Sequence, residues 1–315
     1  DRWKGDRGMD PNRLVFINGE LVPEPEACIS IFDVGFMYGV TLYESLRSFR
    51  HEWFLPDRHW RRLKRSLGYA GLTDALSEDE YRDALGKVLE ANIELTDPAD
   101  DIWVNIQVTP GCTFPMPLLG QQTSDPTVLC YTCALPHREY APCYREGKHA
   151  VTSLFRTPPP QCYEQRMKNR SRFPHFLSKR DAQRIDPGAF GLMLDVDGFI
   201  AEGTGANIFF VLDGVLHTPK MRNILVGVSR QYVLGLAGEL GVPVVESDLT
   251  LYDAYNAEEA FWTTSSYCIL PVSMIDGRKI GMTYPGAMAQ RLLSLWSEKV
   301  GVDIIGQAER FAGQE

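Results

Sequence analysis

Four short stretches of the chain gather residue types that can do chemistry. In Met167-Lys168-Asn169-Arg170-Ser171-Arg172 a lysine amine stands among basic residues just ahead of a helical stretch. Such an amine can act as a Schiff-base nucleophile and proton carrier; the plainer reading is a solvated basic face. Gly203-Thr204-Gly205 follows Ala201-Glu202 and leads into an apolar strand. A strand rather than a helix comes after it, so it is no dinucleotide fingerprint, and alone it marks a tight turn. Val226-Gly227-Val228-Ser229-Arg230 opens an amphipathic stretch. Free N–H groups, the helix dipole and a serine hydroxyl can hold an anion there, although an ordinary serine cap is the commoner use. Thr263-Thr264-Ser265-Ser266 places small hydroxyl residues on a turn after an apolar strand, which suits a phosphate and equally any polar loop.

The elements that must position these residues are written in the hydrophobic pattern. Apolar runs on either side of Asn18-Gly19 predict a hairpin over Arg13–Val22. Cys28–Phe32 reads as a short strand and Tyr38–Phe49 as continued strand. Trp60, Leu63 and Leu67 at helical spacing predict a helix over Asp57–Leu67, and Ser77 with Glu80 has capping-box spacing for a helix running to about Asn92. Ile102–Thr109 and Thr127–Leu135 read as strands. Beyond them, strands are predicted over Ala150–Phe155, Ala189–Asp195, Ile208–Leu212, Val215–His217, Ala260–Thr263 and Cys268–Val272. Helices are predicted over Phe173–Arg184, Val228–Leu240, Leu251–Asn256 and Gly286–Val300. Pro136–Gly147 carries two prolines, mixed charge and little periodicity, so it is the linker candidate. The prediction is two α/β (α+β) domains, 9–137 and 148–315, joined by a linker at 138–147, with residues before Met9 set aside.

Composition narrows the function classes. At 315 residues and 35.5 kDa, two domains are expected. Lys plus Arg number 32 against 41 Asp plus Glu, a formal charge of −9. That acidity argues against nucleic acid and anionic membranes as partners. No apolar run approaches the roughly 18 residues a spanning helix requires, and no signal segment is read at the start, so the cytoplasm is the expected compartment. The seven cysteines are scattered and odd in number, which reads as reduced thiols. Cys130 and Cys133 form a C-x-x-C inside a strand, where three-residue spacing puts side chains on opposite faces. No second pair completes a zinc set, and no metal site is expected.

Taken together and in order, these stretches resemble the fold-type IV pyridoxal-phosphate enzymes, from about Leu14 to Ile280. That family contains branched-chain and D-amino-acid aminotransferases, R-selective amine transaminases and aminodeoxychorismate lyases. The resemblance is carried by Phe16-Ile17-Asn18-Gly19-Glu20, by Ile31-Phe32-Asp33-Val34-Gly35-Phe36-Met37-Tyr38-Gly39 and by Tyr43-Glu44-Ser45-Leu46-Arg47. His59-Trp60-Arg61-Arg62-Leu63, Lys168 eleven residues before Lys179-Arg180-Asp181-Ala182, and Ile200-Ala201-Glu202-Gly203-Thr204-Gly205-Ala206-Asn207-Ile208-Phe209 follow, ahead of Leu270-Pro271-Val272.

The resemblance implies a two-domain architecture with pyridoxal 5'-phosphate in the interdomain cleft, and a homodimer. It puts Lys168 as the Schiff-base and proton-shuttling residue, Glu202 against the pyridine nitrogen, and Tyr38 near the substrate. Arg62, Val228, Ser229 and Ser265 would hold the phosphate, and Asn207 belongs to the cofactor-binding set. The implied activity is a ping-pong aminotransferase acting on small molecules, a branched-chain or other apolar amino donor with a 2-oxo acid such as 2-oxoglutarate. A D-amino-acid or R-amine transaminase, an aminodeoxychorismate lyase and a non-catalytic cofactor-binding protein are the alternatives. Three departures touch the substrate pocket. Val40-Thr41 replaces Asp-Gly after Gly39, Pro110 stands where many relatives have Arg after Gln107-Val108-Thr109, and no cationic carboxylate trap is evident in Gly111-Cys112-Thr113-Phe114.

Overall fold

A computed structural model describes residues 10–113, 125–281 and 285–313. Met9 and Phe114, which bounded two of the expectations above, lie outside that set. The chain separates into two compact units, the first running through Leu135 and taking in Met167–Ser171, the second made of Pro136–Arg166 and everything from Arg172.

In the first unit the elements are β1 (Leu14–Ile17), β2 (Glu20–Pro23), α1 (Val34–Tyr38), β3 (Leu42–Phe49), β4 (Glu52–Trp53), α2 (Pro56–Tyr69), α3 (Glu78–Asn92), β5 (Ile102–Thr109) and β6 (Thr127–Ala134). The strands form one antiparallel sheet in the order β2-β1-β6-β5-β3-β4. The β1–β2 turn uses Asn18 and Gly19, both at positive φ (48° and 98°), as a hairpin whose twist matches its strands requires. The Ser77–Glu80 capping box forms: Glu80 N–H donates to Ser77 Oγ at 3.2 Å, and Ser77 N–H to the Glu80 carboxylate at 2.7 Å. Trp60, Leu63 and Leu67 of α2 and Tyr81, Leu85 and Val88 of α3 pack with Leu42, Leu46, Val104, Ile106 and Val108 of the sheet as one core.

One expected strand is absent. Cys28–Phe32 forms no ladder; Ser30 instead accepts from Phe32 N–H at its Oγ and from Asp33 N–H at its carbonyl. Ile29 and Ile31 are exposed, so no sheet face is there to bury an alternating pattern. Asp33 then starts α1 by accepting from Gly35 N–H at 2.7 Å.

The second unit contains α4 (His137–Glu146), β7 (Lys148–Arg156), α5 (Phe173–Ile185), β8 (Phe190–Leu194), β9 (Ile200–Gly203), β10 (Asn207–Leu212), β11 (Val215–Pro219), α6 (Val228–Glu239), β12 (Val244–Ser247), α7 (Leu251–Tyr255), β13 (Glu259–Thr264), β14 (Cys268–Ile275), β15 (Arg278–Lys279), α8 (Ala287–Val300) and α9 (Ile304–Phe311). Its mixed sheet runs β12-β11-β10-β13-β14-β7-β8-β9, with β15 on β14. Of residues 138–147, expected as a linker, all but Gly147 belong to the helix α4. Ala141, Cys143 and Tyr144 are buried there, and Tyr144 donates its hydroxyl hydrogen to the Tyr267 carbonyl at 2.8 Å. Two prolines hid a helical spacing too short to show as a period.

Among the described residues, no helix is long and apolar enough to cross a membrane, and no cluster of three or more His, Cys, Asp or Glu is placed to hold a metal ion.

Candidate active site

In the first unit the site grows from β3. Strand alternation puts Leu42, Glu44 and Leu46 on one face and Tyr43, Ser45 and Arg47 on the other. Glu44 therefore points into the apolar layer beneath α2 and is fully buried. A lone carboxylate there would be very costly. It is matched by two residues one turn apart on α2. Arg62 donates from Nε and Nη2 to Glu44 at 2.7 Å each, and His59 Nδ1 lies 2.7 Å from Glu44 Oε2. Burial alone would raise the Glu44 pKa, but the Arg62 charge and hydrogen bonds, with His59, hold it at about 2. Burial lowers the His59 pKa, and the Arg62 and Lys168 charges add to that against the pull of Glu44. The imidazole is thus neutral, and since an ionised carboxylate only accepts, Nδ1 carries its hydrogen. Desolvation would weaken the Arg62 charge, but Glu44 raises its pKa further. The Arg62 side chain is 12% exposed, and Glu44 fixes the Nε–Nη2 edge of its fork.

Lys168 joins this assembly through Met167–Ser171, a strap laid along the start of β3. Tyr43 N–H donates to the Lys168 carbonyl (3.1 Å), Arg170 N–H to the Thr41 carbonyl (2.9 Å), and Lys168 N–H to Ser66 Oγ on α2 (3.2 Å). Ser171 Oγ donates to the Gly39 carbonyl at 2.8 Å. The Lys168 Nζ stands 4.4 Å from the centroid of the Tyr43 ring. Tyr38, at the end of α1, is 55% exposed and one residue from Gly39.

In the second unit Glu202 is set on β9 and is 5% exposed. Its Oε2 accepts from Leu225 N–H at 2.9 Å and from Asn207 Nδ2 at 3.4 Å; its Oε1 lies 3.3 Å from His175 Nε2. Asn207 Nδ2 also donates to the Leu225 carbonyl at 2.9 Å, which fixes its amide. Next to it α6 begins at Gly227, whose extended backbone offers no side chain to cap the helix. A Cβ on Gly227 would run into Asn207 Oδ1, so glycine lets the helix start approach Asn207 and Glu202. The first-turn N–H groups at Val228 and Ser229, both buried, therefore open along the axis. Arg230 is a cation in the same turn but is bound elsewhere, to the Pro219 carbonyl and Glu246, each at 3.0 Å. Ser265 is half-buried in the turn after β13, two residues beyond Thr263, the β-ladder partner of Asn207.

In the first unit Lys168 and Arg62 are linked through the backbone, Lys168 N–H donating to Ser66 Oγ and Ser66 Oγ to the Arg62 carbonyl; the second unit brings Glu202, Asn207, Val228 and Ser229 together. Sequence reading assigned no role to Glu44, His59 or His175. The signal for the first two was present: a His and an Arg three apart on the apolar side of α2 need a buried acid opposite them.

A family profile described as "Amino-transferase class IV" matches residues 41–275. The chain belongs to the class IV amino-transferase family. This class IV amino-transferase is 32% identical over 280 residues to a protein of Methanocaldococcus jannaschii named as a branched-chain-amino-acid aminotransferase, covering 88% of this chain and 93% of that one. It is 29% identical to the aminodeoxychorismate lyase of Bacillus subtilis, covering 91% of this chain and 94% of the lyase. The crystal structure of a T.th. branched-chain amino acid aminotransferase with pyridoxamine 5'-phosphate matches with a TM-score of 0.83 at 26% identity, covering 97% of this chain and 98% of that one. As an aminotransferase, the chain acts on small amino and oxo compounds.

Proposed function

We propose that the chain is a pyridoxal-phosphate aminotransferase that takes its amino group from an apolar, branched-chain amino acid and passes it to a 2-oxo acid such as 2-oxoglutarate. The observation that carries this reading is the pairing, through Asn207, of the buried Glu202 carboxylate with the uncapped start of α6. An acceptor for a charged N–H beside donors for an anion complements a molecule with a pyridinium nitrogen at one end and a phosphate at the other. Bound there, pyridoxal phosphate would supply an electron sink and an exchangeable carbonyl.

The chain's own residues divide the remaining work. Glu202 keeps a proton on the ring nitrogen by charge, and the Leu225 N–H and Asn207 amide hold the carboxylate in place. Val228, Ser229, Ser265 and Arg62 take the phosphate, with helix-start donors and a charge-assisted contact suited to a dianion. Glu44 sets the rotamer of Arg62 before any ligand arrives. The Lys168 amine holds the cofactor and carries the proton to and from the substrate α-carbon. Tyr38 borders the substrate. The branched-chain preference draws support from the named relatives.

The test is chemical labelling. The protein loaded with pyridoxal phosphate and reduced with borohydride should carry the cofactor on Lys168, and leucine, isoleucine or valine with 2-oxoglutarate should turn over. Label on Lys148 or Lys179, or pyruvate release from aminodeoxychorismate without any acceptor, would overturn the proposal.

A further inference from the structure

Lys168 has a cationic neighbour that the site above leaves unused. Arg170 lies two residues beyond Lys168 in the strap, and the residue between them, Asn169, is bridged to Leu42 at the start of β3. Both cations lie against the same ring: Arg170 Cζ is 3.7 Å and Lys168 Nζ 4.4 Å from the Tyr43 centroid. The guanidinium therefore cannot be further from the amine than those two distances laid end to end. This reach suits a substrate whose reacting carbon is at the lysine and whose carboxylate is a few bonds away.

The sheet beneath is built to aim Arg170. Register pairs Tyr43 with Gln107, Ser45 with Asn105, and Asn105 with Tyr131, so all five side chains share one face of β3, β5 and β6. Arg170 Nε donates to Gln107 Oε1 at 3.2 Å, and its Nη2 donates to Asn105 Oδ1 at 3.1 Å. Each amide is itself fixed: Ser45 Oγ donates to the same Asn105 oxygen at 2.7 Å, and Gln107 Nε2 donates to Tyr131 Oη at 3.3 Å. All of these partners are neutral. Among the described residues no carboxylate lies within ion-pair distance of Arg170, although Asp plus Glu outnumber Lys plus Arg by 41 to 32. Arg62, by contrast, is neutralised by Glu44 on the opposite face of β3. Arg170 is exposed, and the two amides engage its Nε and Nη2, not its Nη1.

We propose that Arg170 binds a carboxylate of the substrate, setting the chain's preference for amino and oxo acids over plain amines. A planar guanidinium, pre-oriented by neutral oxygens with its charge uncompensated, is matched by a carboxylate in bidentate geometry. The carboxylate is either the one next to the reacting carbon or the distal one of a dicarboxylic acceptor; the chemistry is the same. This inference rests on Lys168 being the reacting amine.

The test uses the full-length, cofactor-loaded protein and the variants Arg170→Met and Arg170→Lys. Wild type should bind the unreactive acids glutarate and 4-methylvalerate by calorimetry, and Arg170→Met should weaken this at least tenfold. kcat/KM should fall by a similar factor for carboxylate-bearing donors and acceptors. With 1-phenylethylamine as donor, the amine half-reaction should stay within about twofold. Loss with leucine and glutamate alike places the carboxylate next to the reacting carbon; loss with glutamate and 2-oxoglutarate alone places it at the distal end. Arg170→Lys should recover part of the affinity. Unchanged acid binding in Arg170→Met overturns the proposal. So does an equal loss with the amine, which would mean that Arg170 only clasps the Tyr43 ring. Failure of borohydride to fix cofactor on Lys168 would refute the assignment of Lys168 as the reacting amine, while the calorimetric arm would still decide acid binding by Arg170.

Discussion

Glu44→Gln tests the most deeply buried charge in the first unit. The amide has the shape of the carboxylate but no charge, and it presents an NH2 to groups that are themselves donors, Arg62 and His59. The size of the effect follows from the ionisation of Glu44. A carboxyl whose pKa falls from its ordinary 4.5 to about 2 on folding contributes about 3 kcal/mol at neutral pH, at about 1.4 kcal/mol per tenfold change in proton affinity. Because the folded value is the lower one, this stabilisation is complete above about pH 4.5 and is lost as pH falls through about 2. Denaturant unfolding of wild type and variant should therefore show a gap of about 3 kcal/mol at pH 7. The gap should persist to about pH 5 and roughly halve by pH 3. A gap that stays constant from pH 7 to pH 3 would show that the cost lies in packing, and that Glu44 does not act through its charge.

Two further perturbations address the cofactor. Arg62→Ala should weaken pyridoxal phosphate binding by roughly 2–3 kcal/mol and also strand Glu44, whereas Arg62→Lys should lose affinity with a smaller loss of stability; equilibrium dialysis finding unchanged affinity in both would refute the phosphate role. Glu202→Gln should slow the amino-donor half-reaction on the order of 100-fold, about 2.7 kcal/mol, with cofactor still bound; a wild-type rate in stopped-flow would leave Glu202 as only an anchor for Leu225 and Asn207.

Much of this molecule is legible before any coordinates. Ile102–Thr109 matches β5 residue for residue, and the Asn18-Gly19 hairpin and Ser77–Glu80 box form as their side-chain chemistry dictates. What was not legible depends on contacts distant in sequence. Cys28–Phe32 has strand composition but no neighbouring strand. Pro136 before α4 and Pro142 within it mask a helix that is tied down by Tyr144 meeting Tyr267, 123 residues away. The candidate site divides in the same way. Lys168, Glu202 and Ser229 stand in recognisable local settings; the His59–Arg62 spacing hints at a buried acid, but strand alternation is needed to identify it as Glu44, and the role of Arg170 appears only when strand register shows which groups it faces.

Because Met167–Ser171 completes the first unit from far along the chain, that unit cannot finish folding as its own residues leave the ribosome. After Leu135 is made, the stretch up to Ser171 takes roughly 2–7 s at about 5–20 residues per second. Until then the Tyr43 N–H and the Gly39 and Thr41 carbonyls have water in place of the strap. Nascent chains stalled before and after the strap emerges should differ in amide exchange at Tyr43; equal protection in both would show that the sheet closes without it. The lysine thus arrives last, laying its amine against the Tyr43 ring of a sheet already in place. Any separately produced piece ending near Leu135 would lack both its edge partner and its nucleophile.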